Sequence, residues 1–100
     1  MIKLTVLYQE PADPEAFREH YLNVHSPLVR ALPGLDKFEV AFAAPGPDGS
    51  KPPFHLVSEL WFPDAATFGA AMQTPEGAAL AADTPNVAST PSTSVITEIV

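Results

Sequence analysis

The chain has 100 residues, 46% of them hydrophobic, and no cysteine, enough for one domain with its own core, on a scale where a partner subunit adds useful stability. The lack of cysteine excludes a disulfide framework, a thiolate metal site and a cysteine nucleophile. The net charge of -7 and the scatter of Lys3, Arg18, Arg30, Lys37 and Lys51 exclude a phosphate-tracking surface. No apolar run approaches the roughly 20 residues of a bilayer span, and no basic segment leads into an apolar one at the N-terminus. The reading is a single cytoplasmic domain over residues 1–100, with neither nucleic acid nor membrane as partner.

In chain order, Ile2 to Gln9 alternates Ile2, Leu4, Val6 and Tyr8 against Lys3, Thr5, Leu7 and Gln9, the period of a strand. Asp13 reads as a helix N-cap, with Pro14 at the first helical position and Glu15 near the positive end of the dipole. Phe17, Tyr21, Val24, His25 and Leu28 recur at helical spacing and share one face, which leaves His20 toward solvent. Pro27 lacks an amide donor and clashes one turn back, so a straight helix through it would lose ~3 kcal/mol. A break is expected there, with Ser26 capping a second short helix that begins at Pro27 and ends near Leu32.

Leu35 to Ala44 alternates again as a second strand, with Phe38, Val40 and Phe42 on one side. Pro45 to Pro53 is dense in turn formers and reads as a long hairpin loop. Phe54 to Phe62 follows as a third strand, with Phe54, Leu56, Leu60 and Phe62 on one face and His55, Val57, Glu59 and Trp61 on the other. Asp64 caps a helix in which Phe68 and Met72 lie one turn apart. A second helical piece starts at Thr74, with Pro75 inside it, and runs to about Asp83. Residues 84–94 read as irregular, and Ser94 to Val100 as a fourth strand.

This order is that of an α+β domain, βαββαβ, in which a four-stranded antiparallel sheet carries both helical segments on one face. The other face would hold Leu7, Ala41, Val57 and Trp61 among Lys3, Glu39 and Glu59, too apolar for solvent alone. A homodimer through that open face is expected.

His25 is the first candidate for chemistry, because an imidazole titrates near pH ~6.5 and suits proton transfer to or from a phenolic or diketone substrate. Alternatively it makes one structural hydrogen bond across the kink at Pro27. Tyr21, one turn earlier, orients His25 or binds a substrate oxygen, or else is a core aromatic with a polar tip. Asp83 at a helix end either pairs with His25 or caps the turn before Pro85. His55, Glu59 and Trp61 fit an interface better than a site. His20 and His25 are five residues apart, not the three or four of a helical metal pair. No phosphate loop, nucleophile elbow or nucleotide fingerprint is present, so no cofactor is expected.

Three stretches carry a resemblance: Tyr21 to Leu35, with His25-x-Pro27-Leu28 and Pro33-Gly34-Leu35; Pro53 to Asp64; and Thr74 to Val87, with Pro75-Glu76-Gly77. Together they resemble the EthD family of small dimeric α+β barrel proteins over Ile2 to about Val87. Val87 departs from the family, which often has an aromatic after the corresponding Asn. The resemblance implies a ferredoxin-like monomer, a dimer built through the sheets, and a small pocket between helices and sheet. The family is named for a component of bacterial ethyl tert-butyl ether degradation, and the wider group includes cofactor-free monooxygenases, cyclases, isomerases and some haem binders. It therefore implies a homodimer with an apolar pocket for a small hydrophobic or phenolic ligand, serving oxidative catabolism. A cofactor-free oxidoreductase, isomerase or cyclase would use His25 with Tyr21 and Asp83. The alternative is an accessory protein that holds a hydrophobic intermediate or stabilises a partner enzyme.

Overall fold

The sheet has four strands: β1 (Ile2–Tyr8), β2 (Lys37–Phe42) and β3 (Leu56–Phe62), which alternate apolar residues along one face, and the more polar β4 (Ser92–Glu98). The structure, a computed structural model, describes residues 1–88 and 90–100. All pairings are antiparallel, in the order β2-β3-β1-β4. Leu4 of the central strand β1 therefore lies between Leu60 and Ile96. One face of this sheet carries α1 (Pro14–His20), a π turn (Tyr21–His25), α2 (Ser26–Arg30), α3 (Ala65–Met72) and α4 (Pro75–Ala88). The architecture is ferredoxin-like, as the element order predicts.

Local chemistry sets the helix starts. Asp13 accepts from the Ala16 amide at 3.1 Å and Asp64 from the Thr67 amide at 2.7 Å, satisfying amides that lack intrahelical partners. The Thr74 hydroxyl does the same for Gly77 at the start of α4, at 3.1 Å. Two apolar clusters form beneath the helices. Val29, Leu32, Phe38, Leu60, Phe62 and Leu80 make the larger, and Tyr8, Phe17, Tyr21, Leu56 and Val87 the smaller. Leu56 and Phe62 are wholly buried, each burial being worth about 1.5–3 kcal/mol.

Several expectations are corrected. The helix does not break at Pro27: Ser26 is itself helical (φ -60°, ψ -43°), its amide bonds to the Tyr21 carbonyl five residues back, and its hydroxyl is buried without a partner rather than capping. A turn widened by one residue takes up the strain of the proline instead. That extra residue also turns Val24 outward, to 43% exposure. Helix α4 does not end at Asp83 but continues through Pro85 to Ala88, so residues 84–88 are not irregular; Ser89 lies outside the described residues. Pro85 is exposed while Val87 is buried, and docking Val87 into the smaller cluster offsets what the proline costs the helix. The fourth strand begins and ends two residues earlier than its apolar run, and the second and third are trimmed at their ends. His55 does not lie on the open face; its ring sits edge-on to Phe17 and Phe42, at 6.1 and 5.8 Å.

On the open face Leu7, Val57 and Trp61 are half-covered and Ala41 is exposed. Lys3 pairs with Glu59 at 3.0 Å, and Lys3 and Lys37 both lie over the Trp61 ring. Strand β4 is exposed along its whole length. No described helix is long and apolar enough to cross a membrane.

The α3–α4 corner supplies a stability test. A Cβ on Gly77 would lie 2.5 Å from the Ala71 carbonyl oxygen and 2.6 Å from Met72 Cα, backbone that has no room to yield. Gly77→Ala is expected to destabilise by about 1–3 kcal/mol in urea unfolding, although alanine is the better helix former.

Candidate functional site

In a regular α-helix, residues five apart point about 140° away from each other. The π turn between Tyr21 and His25 closes a full turn with a five-residue step, so His20 and His25 lie one above the other. Both reach the same side chain of α4. His25 Nδ1 donates to Asp83 Oδ2 at 2.9 Å, and His20 Nε2 straddles the carboxylate at 2.9 Å from Oδ1 and 3.2 Å from Oδ2. Asn86 Nδ2, one turn on in α4, donates to Oδ1 at 2.9 Å. The expectation that His20 faces solvent is therefore corrected: its side chain is 33% exposed, against 8% for both His25 and Asp83. Asp83 lies inside α4, so it neither caps a turn before Pro85 nor opposes the dipole at a helix end.

Burial alone would raise the Asp83 carboxyl above its ordinary value of 3.8, but the hydrogen bonds from Asn86, His25 and His20, with the charge of His20, outweigh it and hold the group below that value. Asp83 is ionised at neutral pH and accepts only, so the proton in each contact is on the histidine. In its neutral form His25 is thereby the Nδ1–H tautomer, with Nε2 as its basic nitrogen.

His25 lines a cavity of about 300 Å³ with Tyr21, Tyr8 and Ser58, among mostly apolar side chains of the sheet and helices. It opens where the two apolar clusters meet, with Val29 and Leu80 from one and Val87 from the other on its wall. The Tyr21 ring centroid lies 4.9 Å from that of His25 and 5.5 Å from that of Tyr8. Burial pushes the Tyr8 phenol far up, and the adjacent Tyr21 phenol adds to this. Burial also raises Tyr21, against the opposing effect of the Ser58 and Tyr8 hydroxyls. Both phenols therefore stay protonated at neutral pH and keep a hydrogen to donate.

The sequence nominated His25, Tyr21 and Asp83, and the structure brings the three together. It adds His20, Asn86, Tyr8 and Ser58. Ser58 carried a readable signal, a polar residue between Leu56 and Leu60 on the core face of a strand. His55, Glu59 and Trp61 lie elsewhere. A groove of about 450 Å³ runs past the outer side of His20, and a wider one of about 780 Å³ lies by Lys51 and His55. Among the described residues no group of three or more His, Cys, Asp or Glu side chains is arranged to hold a metal ion.

The EthD domain model matches residues 9–91. An uncharacterised 11.0 kDa protein of the thcB–thcC intergenic region of Rhodococcus erythropolis is 40% identical over 89 residues, covering 89% of this chain and 85% of that protein. The crystal structure of an EthD family protein from Bacillus halodurans superposes with a TM-score of 0.88 at 37% identity, covering 100% of this chain and 99% of that one. SnoaB, a cofactor-independent oxygenase from Streptomyces nogalater, shares the fold alone, with a TM-score of 0.75 at 11% identity over 98% of this chain and 91% of that one.

Because the folded pKa of Asp83 is depressed, its contribution to stability is complete above the unfolded value of 3.8 and is lost as pH falls through the lower folded one. Asp83→Asn is expected to lose about 1–3 kcal/mol at neutral pH. In unfolding curves taken from roughly pH 5 to roughly pH 2, the gap between variant and parent narrows.

Proposed function

The chain belongs to the EthD family, and from that premise we propose that it is a cofactor-independent, cytoplasmic enzyme of oxidative catabolism that removes a proton from a small, largely apolar phenolic or carbonyl compound. The observation that carries this reading is the buried contact between His25 Nδ1 and ionised Asp83: with Nδ1 held there, Nε2 of the neutral ring is the base. The substrate C–H or O–H proton passes to Nε2, and negative charge collects on the substrate oxygen. Tyr21, Tyr8 and Ser58, hydroxyl-bearing walls of the same cavity, are the donors that stabilise it. The resulting enolate or phenolate is the species that isomerises, closes a ring or meets dioxygen. The fold it shares with a cofactor-independent oxygenase supports chemistry of this kind.

The working unit in this proposal is a homodimer joined through the open sheet face. Its support is the half-covered apolar set of Leu7, Val57 and Trp61 on that face, together with the exposed Val95 of β4.

Two experiments follow. Purified protein in D₂O is expected to exchange the acidic α-protons of a 1,3-diketone panel, followed by NMR, with His25→Ala slower by about 10²–10⁴-fold. Binding of the same compounds without exchange by the unmodified protein would favour the accessory reading instead. Sedimentation at micromolar concentration is expected to give a dimer, and Val57→Asp a monomer; a monomeric parent protein would refute the assembly.

A further inference from the structure

The His25–Asp83 contact does not explain why the first helix carries a π turn, nor why Asp83 has a second histidine. We infer that His20 is a positioning residue of this site: it locks the plane of the Asp83 carboxylate so that Oδ2 stays on His25 Nδ1. The inference rests on the proposed role of His25.

Geometry carries it. A carboxylate on a single-bonded stem rotates about that bond, and one donor on each oxygen still permits rocking. His20 Nε2 lies within hydrogen-bond distance of both oxygens, at 2.9 and 3.2 Å. Asn86 takes the remaining side of Oδ1 at 2.9 Å, so Oδ2 is left aligned for His25 at 2.9 Å. Without the π turn, His20 would point about 140° away from His25, and one carboxylate could not bridge them. His20 occupies the boundary of the site. Its side chain is 33% exposed and lines the outer groove with Asn86 and Val87, whereas His25 lines the inner cavity. Asp83 is thus held from the solvent side by a group that does not touch the cavity. Outer-shell partners that orient metal-ligating histidines in the same manner matter by roughly 10–100-fold.

Long-range ¹H–¹⁵N NMR of the imidazoles reads this without any substrate. At a pH where both rings are neutral, His20 of the unmodified protein is expected as the Nε2–H tautomer and His25 as Nδ1–H, with a slowly exchanging Nδ1 proton. Finding His20 as Nδ1–H would overturn the proposal, whatever the variants do. In His20→Leu the His25 ring is expected to populate both neutral tautomers, its Nδ1 proton exchanging at least about tenfold faster. His20→Gln, whose side-chain amide presents a donor at a similar reach, is expected to restore the single tautomer. An unchanged His25 signal in His20→Leu would overturn the proposal, as would a scrambled one in a folded His20→Gln. Diketone exchange in His20→Leu is expected to fall about tenfold in kcat with little change in KM, and His20→Gln to recover it. If the tautomers behave as stated and the unmodified protein shows no exchange, the positioning role stands and the catalytic reading of His25 fails.

Discussion

One buried carboxylate organises the upper layer of this domain. Asp83 lies 58 residues from His25 and 63 from His20, and its contacts tie α4 to the first helical segment across the top of the sheet. Taking a carboxylate out of water costs several kcal/mol unless donors replace the lost hydration. Here the donors are two imidazoles and an amide, all at hydrogen-bond distance. The compensation works only with α4 and the π turn in register, so an electrostatic requirement becomes a geometric one. Shifting α4 by one residue would turn Asp83 about 100° away from both histidines, which makes the helix arrangement specific as well as stable.

Below that site the core forms two apolar clusters linked through the partly buried Val40, and the cavity lies along the seam between them. Each uncovered wall forfeits dispersion contacts, a real loss for a chain of 100 residues. The aromatic contacts of Tyr8, Phe17 and Tyr21, with centroids 5.5–5.7 Å apart, return part of it and fix the phenols beside the imidazole. Val87 contributes to the same balance: as a small side chain at the cavity wall it leaves space that an aromatic would occupy.

The fold was legible because its signal is repetitive. Alternation in the first three strands survives errors at the ends, and even the two-residue displacement of β4 keeps Val95 and Ile96 on their own faces, since strand periodicity is two. His25 and Asp83 were legible as residue types. Their surroundings were not, because two prolines were read by the usual rule that proline ends a helix. At Pro85 tertiary burial of Val87 overrode the rule, so Asp83 was placed at a helix end it does not occupy. At Pro27 the helix widened rather than broke, and a π turn leaves no periodic trace in sequence. Judged by α-helical spacing alone, His20 points away from His25 and toward solvent.

The uncovered strand connects the site to assembly. The helices stop short of β4, so its helix-side residues Ser92 and Ser94 border the cavity while Ile96 is 54% exposed beside them. Val95, on the open face of the same strand, is 47% exposed, and Ile99 and Val100 follow it into solvent. Apolar surface on both sides of one edge strand is unusual for a monomer, which normally protects such an edge with charge or proline. The second subunit proposed for the open face would bury Val95, whereas Ile96 stays on the helix side beside the mouth of the cavity. A ligand seated at that mouth would exclude water, which strengthens the imidazole–carboxylate contact and the phenolic hydrogen bonds. The apolar surface offered to a partner and the open mouth of the cavity thus trace to one cause, the position of β4 outside the helical layer.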